Sequence, residues 1–166
     1  MSYCKECGRR LMLPEGPPSA AILLVADAPT QFDVKEGALW TGSGGEILRV
    51  ELRRAGINYK SCRVANMWQH VKNTDCALDV HIDTVLAEMA NRRAILLMGA
   101  DAVKYFTGEN VSDVSGLRVD ELEYAKEMLP TGLVVYAIFS PAIAIHDKLG
   151  EIRFGMGCFG DALKEI

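Results

Sequence analysis

The feature that most constrains this chain is an apolar run, Ala21-Ile22-Leu23-Leu24-Val25-Ala26, that stops abruptly at Asp27-Ala28-Pro29-Thr30. A short apolar run bounded by turn residues reads as a strand buried on both faces, as in a parallel sheet. In open α/β sheets, ligands bind in the crevice beyond the carboxyl ends of such strands. Asp27 follows this strand directly. Trp40 and the Gly42-Ser43-Gly44-Gly45 turn follow it after one loop. These residues are expected to share a pocket mouth. A carboxylate, an aromatic plate and the backbone N–H groups of a glycine-rich helix start suit a base with a phosphate.

The rest of the chain repeats the alternation. After the long loop Thr30 to Thr41, a helix is predicted from about Ser43 to Ala55, with Ile47, Leu48, Leu52 and Ala55 at helical spacing and Gly56 as a stop. Ser61 to Met67 reads as a second strand, with Asn66 near its end. Asn73-Thr74-Asp75 offers a cap for a helix carrying Leu78, Val85, Leu86 and Met89. Ala94 to Met98 is a third buried strand, and Gly99-Ala100-Asp101 opens a short helix to Phe106. Thr107 to Thr131 lacks a clear period and reads as a long loop. Leu133 to Phe139 is a fourth strand, ended by Ser140-Pro141. The tail from Phe154, with Phe159, Ala162 and Leu163, reads as a last helix. Strands alternating with helices, without a repeat, predict an α/β fold: a three-layer α/β/α sandwich around a mostly parallel four-stranded sheet. One domain is expected over residues 1–166, with a metal-binding knuckle at residues 1–19.

The knuckle is Cys4-Lys5-Glu6-Cys7, a C-x-x-C placed outside any strand-to-helix turn. There is no apolar signal-peptide core and no apolar stretch long enough to span a membrane, so a cytoplasmic protein with no membrane partner is expected. In that compartment five cysteines point to metal or free thiols rather than disulfides. The remaining ligands must come from Cys62, His70, Cys76, His81 or Cys158. A closed Cys2His2 set favours zinc, whereas an iron–sulfur cluster normally asks for four thiolates. The net charge of −4 gives no bulk attraction to nucleic acid, so a nucleic-acid partner would need a local basic face. Lys148 and Arg153, which flank the Ser140 loop, are the candidates for it. The backbone N–H groups of Gly42, Ser43 and Gly44 are a further phosphate contact.

In this order, the segments resemble the uracil-DNA glycosylase superfamily, most closely its iron–sulfur type, family 4. The matching stretches are Cys4-x-x-Cys7 followed by Leu11; Ala26-Asp27-Ala28-Pro29-Thr30 after an apolar strand; Glu36-Gly37-Ala38-Leu39-Trp40-Thr41-Gly42; Gly45-Glu46-Ile47-Leu48; Ala65-Asn66-Met67-Trp68-Gln69-His70; Leu97-Met98-Gly99-Ala100; and Phe139-Ser140-Pro141-Ala142. Each is short, but together they span nearly the whole chain in the right order.

The resemblance implies DNA repair by base excision, with single-stranded or uracil-containing DNA as the partner and a DNA polymerase as a further candidate. Ala26, Asp27 and Ala28 take the place of the first motif, and Ser140 takes that of the histidine supporting the leaving uracil. Trp40 would stack on the base and Asn66 would read its edge. Asp27 would orient water and stabilise the cationic sugar, while Ser140 would donate to the departing base. The family's third and fourth cluster cysteines fall on His70 and His81. The implied metal set is therefore Cys4, Cys7, His70 and His81, with Cys76 as a substitute and zinc or a [4Fe-4S] cluster as cofactor. Two other functions stay open: a catalytically reduced DNA-binding or replication-associated accessory module, and an unrelated nucleotide-binding α/β protein.

Overall fold

A computed structural model describes the backbone of residues 1–166 and the side chains of all but residues 144–146. Four strands, β1 (Ile22–Ala26), β2 (Arg63–Asn66), β3 (Ala94–Met98) and β4 (Val134–Ile138), form one sheet in the order β2-β1-β3-β4. Every pairing is parallel, and the register sets Ala26 beside Asn66 on one side and Met98 on the other. Seven helices accompany it: α1 (Gln31–Glu36), α2 (Ser43–Arg54), α3 (Asp79–Glu88), α4 (Ala100–Thr107), α5 (Val111–Val114), α6 (Glu123–Met128) and α7 (Leu149–Leu163).

The strands are apolar throughout because both faces are covered. Successive side chains point to opposite faces of a strand. Leu23 and Val25 therefore join one core, with Val85 of α3 and Phe106 of α4. Leu24 and Ala26 join the other, with Leu48 and Leu52 of α2 and Met156 and Phe159 of α7. This is the expected three-layer arrangement. Both sheet edges are covered as well: Glu15 exchanges backbone hydrogen bonds with Val64 along β2, and residues 116–119 bond to Val135 and Ala137 along β4. Unpaired strand edges would otherwise invite association with other chains.

The order of the strands locates the crevice. The connection from β1 leads outward to β2, and that from β3 leads the opposite way to β4. The gap between the carboxyl ends of β1 and β3 is therefore the switch point at which such folds bind ligands. Asp27 lies on one side of that gap and Gly99 on the other.

Four local expectations change. The Thr30 to Thr41 loop contains α1, started by a capping box: Thr30 Oγ1 accepts from the Asp33 N–H, and the Asp33 carboxylate accepts from the Thr30 N–H. Asn73 caps only a turn, accepting from the Asp75 N–H, and α3 starts at Asp79. Residues 107–131 are not a plain loop. They carry α5 and α6, held by Val114, Val119, Ala125 and Leu129 buried without a regular period. The last helix begins at Leu149, ahead of Phe154, because Ile152 is already in the core. No helix among the described residues is long and apolar enough to cross a membrane.

Candidate functional site

A cavity of ≈ 640 Å³ opens at the carboxyl ends of β1 and β2. Its wall includes Ala26, Asp27, Ala28, Trp40, residues 42–45, Asn66 and Ser140, all of them residues expected at the site. Thr30, Phe32, Asp33, Ala142 and Ile143 complete it. Lys148 and Arg153 are not part of this wall. Lys148 pairs with Glu151 at 3.5 Å and sits over the Phe139 ring, while Arg153 grips the buried Glu51 at 3.0 Å. Glu51 is only 2% exposed, so Arg153 neutralises a carboxylate that would otherwise be buried and unpaired.

Asp27 leaves the end of β1 and turns toward the start of α4. Gly99, before that helix, has no side chain to cap it, and Asp27 Oδ1 accepts from the Ala102 N–H at 2.9 Å instead. A Cβ on Gly99 would lie 2.6 Å from the Asp27 carboxylate, so glycine is required for this approach. Burial pushes the Asp27 carboxyl above its ordinary value, against the lowering effect of the Ala102 and Asp101 N–H groups.

The opposite wall is built by α1 and the first turn of α2. The buried Asp33 carboxylate accepts from both the N–H and the hydroxyl of Thr41, at 3.0 and 2.7 Å, which folds the loop back on itself. Trp40 is then held at φ 55°, a conformation uncommon outside glycine, and Arg49 donates to its carbonyl at 2.7 Å. Gly45 packs so closely that a Cβ would fall 1.8 Å from the Trp40 carbonyl oxygen. Phe32, 48% exposed, adds a second aromatic to the wall. Sequence reasoning missed Phe32 and Asp33. The Thr30-x-x-Asp33 spacing is a capping-box pattern and was the available signal for Asp33; Phe32 had none.

Asn66 and Ser140 close the cavity. Asn66 is 3% exposed, and its Nδ2 has no hydrogen-bond partner among the described residues. Ser140 Oγ accepts from the Ala142 N–H at 3.2 Å, capping the 3-10 turn Pro141–His146 and leaving its own O–H proton free to donate.

A second cluster lies where β2 runs on past Asn66. The ligand atoms of Cys4, Cys7, His70 and Cys76 all lie within 4.8 Å of one another and could hold a metal ion. This group differs from the expected set in one member, with Cys76 in the place given to His81. Cys4 and Cys76 Sγ are 3.7 Å apart, and Cys7 Sγ is 3.3 Å from His70 Nε2. The Val71 carbonyl, 2.8 Å from His70 Nδ1, takes the proton of that nitrogen and leaves Nε2 as the bare one. His81 packs directly alongside, its Nε2 3.1 Å from His70 Nε2 and 3.5 Å from Cys76 Sγ, with Gln69 at its Nδ1. Burial raises the Cys4 thiol, but the N–H groups of Cys7 and Glu6 outweigh it and its pKa falls. Burial and the neighbouring Cys4 push Cys76 up to about 12. Burial and His70 lower His81, which favours its neutral form. Three cysteines and an imidazole converging in one corner fit a thiophilic metal. Cys62 and Cys158 are outside this group. Cys62 is buried at the foot of β2, with its thiol pushed up to about 12 by burial, as a small hydrophobe.

Comparison with known proteins agrees with this geometry. A family model described as the uracil DNA glycosylase superfamily matches residues 13–154. The type-4 uracil-DNA glycosylase of Sulfurisphaera tokodaii is 28% identical over an alignment covering 87% of this chain and 72% of that protein.

Proposed function

The chain belongs to the uracil-DNA glycosylase superfamily, and on that premise we propose that it excises uracil from single-stranded DNA by hydrolysing the N-glycosidic bond. The observation that carries this reading is the amide of Asn66, 3% exposed, on the cavity wall with no partner for Nδ2 among the described residues. An unsatisfied buried donor costs about 1–3 kcal/mol. A flipped uracil presents carbonyl oxygens on its edges and would satisfy it.

The other residues supply the rest of the chemistry. Breaking the bond builds positive charge on the sugar and negative charge on the departing base. The Asp27 carboxylate stabilises the first and orients the attacking water through the oxygen not taken by Ala102. The Ser140 hydroxyl donates to the second. Trp40 and Phe32 offer rings for stacking, and the first turn of α2, whose N-cap Gly42 adds no side-chain hydrogen bond, offers N–H groups to a phosphate.

The test is a single-stranded oligonucleotide with one uracil, incubated with protein and then cleaved at abasic sites. Excision is expected, and Asn66→Ala should slow it by roughly 10²–10³-fold. A second reading is favoured by Ser140, whose short hydroxyl replaces a longer donor: a DNA-binding accessory module with reduced catalysis. Tight binding with background excision would establish that reading instead.

For the metal, the spacing supports one zinc ion held by Cys4, Cys7, His70 and Cys76. With Zn–S bonds of about 2.3 Å, tetrahedral geometry sets ligand sulfurs about 3.8 Å apart, and Cys4 and Cys76 are at 3.7 Å. His81 stands beside the ligand atoms, its Nε2 3.1 Å from His70 Nε2, and Val71 holds His70 from behind through Nδ1. Elemental analysis of anaerobically purified protein is expected to find about one zinc per chain; about four irons with a brown absorption band would overturn this.

A further inference from the structure

Away from the base cavity, α2 and the segment after it enclose a second cavity of ≈ 420 Å³, lined by Arg49, Arg53, Asn58, Tyr59 and Lys60. No carboxylate lines it. Among the described residues, none of its three cations is in an ion pair. In a chain with 22 acidic and 18 basic residues, this is the local basic face that the net charge of −4 does not provide.

The arrangement is pre-organised. Arg49 and Arg53 are four residues apart on α2 and so lie on one side of it. The Arg49 guanidinium is fastened to the Trp40 carbonyl at 2.7 Å and stacked 4.2 Å above the Tyr59 ring. Burial pushes the Tyr59 phenol up to about 12, so it stays a neutral donor. Asn58 accepts from the Lys60 N–H at 3.0 Å, which fixes the turn carrying that lysine. A third cavity of ≈ 450 Å³ shares Gly56, Ile57 and Asn58 with this one and continues the groove to Ser61 and Lys164. A mononucleotide would fill one of these spaces, whereas a chain of phosphates would run through both.

We propose that this groove is a second nucleic-acid site, taking the sugar–phosphate backbone of the strand that flanks the base held in the first cavity. The placement rests on the first cavity being a base pocket. The two sites follow one another along α2: Gly44 and Gly45 line the first, Arg49 and Arg53 the second, and Gly44 and Arg53 mark their far ends. At ~1.5 Å per residue the helix separates them by about 14 Å along its axis. A stacked strand rises about 3.4 Å along its axis per nucleotide, so about four nucleotides cover that distance. Basic grooves with interleaved aromatic rings are a general solution for single strands.

The test uses a uracil-free thymidine oligonucleotide of about twelve nucleotides and, separately, thymidine 5′-monophosphate. Each is titrated against the full chain and against the variant Arg53→Gln with Lys60→Gln. Both residues are exposed, so melting should be unchanged. Oligonucleotide affinity at low salt should fall about tenfold, and the slope of log affinity against log salt should become shallower by about 1.4, at ~0.7 per lost phosphate contact. Excision at saturating DNA should keep its rate while KM rises. Unchanged affinity and slope in the folded variant would overturn the site. An equal loss for the monophosphate would overturn the strand reading in favour of a mononucleotide site. If the parent shows no excision but the variant still loses oligonucleotide affinity, the base-pocket reading fails and the groove stands.

Discussion

The cavity beyond β1 and the Cys/His corner adjoin along the chain that continues β2, the first at Asn66 and the second at His70, yet they hold their polar groups in opposite ways. In the cavity nearly every polar side chain is tied to backbone. Asp27 is tied to Ala102, Asp33 to Thr30 and Thr41, and Ser140 to Ala142. Asn66 Nδ2 alone of these groups is left over. In the corner the donors face one another: Cys4 faces Cys76, and Cys7 faces His70. A group bonded to scaffold keeps its geometry without a ligand. Donors that face each other need something between them to hold theirs. The cavity should therefore be rigid when empty, and the corner should depend on its metal.

The largest expected effect is in the corner. Cys76→Ser should reduce bound metal from about one per chain to near zero and lower the melting temperature, because a closed structural metal site contributes folding free energy. His81→Gln should keep the metal with about 10–100-fold weaker affinity, as expected for a residue supporting a ligand. Elemental analysis with competition against a chelator reads both. If His81→Gln empties the site while Cys76→Ser does not, the two residues exchange roles.

Next is Asp27→Asn, which should slow excision by about 10³-fold while leaving the cap on α4 in place, since an amide oxygen can still accept from Ala102. The sign for stability follows from the raised pKa. A carboxyl with a higher pKa in the folded state favours folding below its unfolded pKa and loses that contribution as pH rises through the folded value. At neutral pH the ionised Asp27 is therefore a cost, and Asp27→Asn should melt no lower than the parent at pH 7, with the difference vanishing in acid. The parent's excision rate should fall on the acid side at a pH higher than that of an ordinary aspartate. A lower melting temperature at pH 7 would show that the ionised cap outweighs burial.

Ser140→His should then raise the single-turnover excision rate by up to roughly 10²-fold with little change in DNA affinity, because the donor acts as charge develops on the leaving base. Combining it with Asp27→Asn should remove the gain. No gain in a folded, metal-loaded variant would support the accessory-module reading.

The smallest effect is on the scaffold between the two walls. Gly45→Ala places a methyl group against the Trp40 carbonyl. It should cost about 1–3 kcal/mol by forcing the backbone apart, which for a chain of this size lowers the melting temperature by roughly 2–4 °C per kcal/mol. If Gly45→Ala melts like the parent, Trp40 is not locked as described.

From the residues alone came the four strands, their parallel pairing and the crevice beyond β1. All of these follow from short-range signals: a doubly buried strand must be apolar throughout, and Asp27, Trp40, Asn66 and Ser140 each end or follow a recognisable segment. The C-x-x-C knuckle was equally plain. Tertiary structure decided what depends on long-range convergence. Cys76 meets Cys4 across 72 residues of chain, and no spacing rule separates it from His81, which packs against the same imidazole. Arg153 could be read as a DNA contact until α7 packed against α2 and set it on Glu51 across 102 residues. The same packing leaves Arg49, Arg53 and Lys60 without acidic partners among the described residues. Charge and ligation depend on distance through space with an inverse law, and only the packed chain sets those distances.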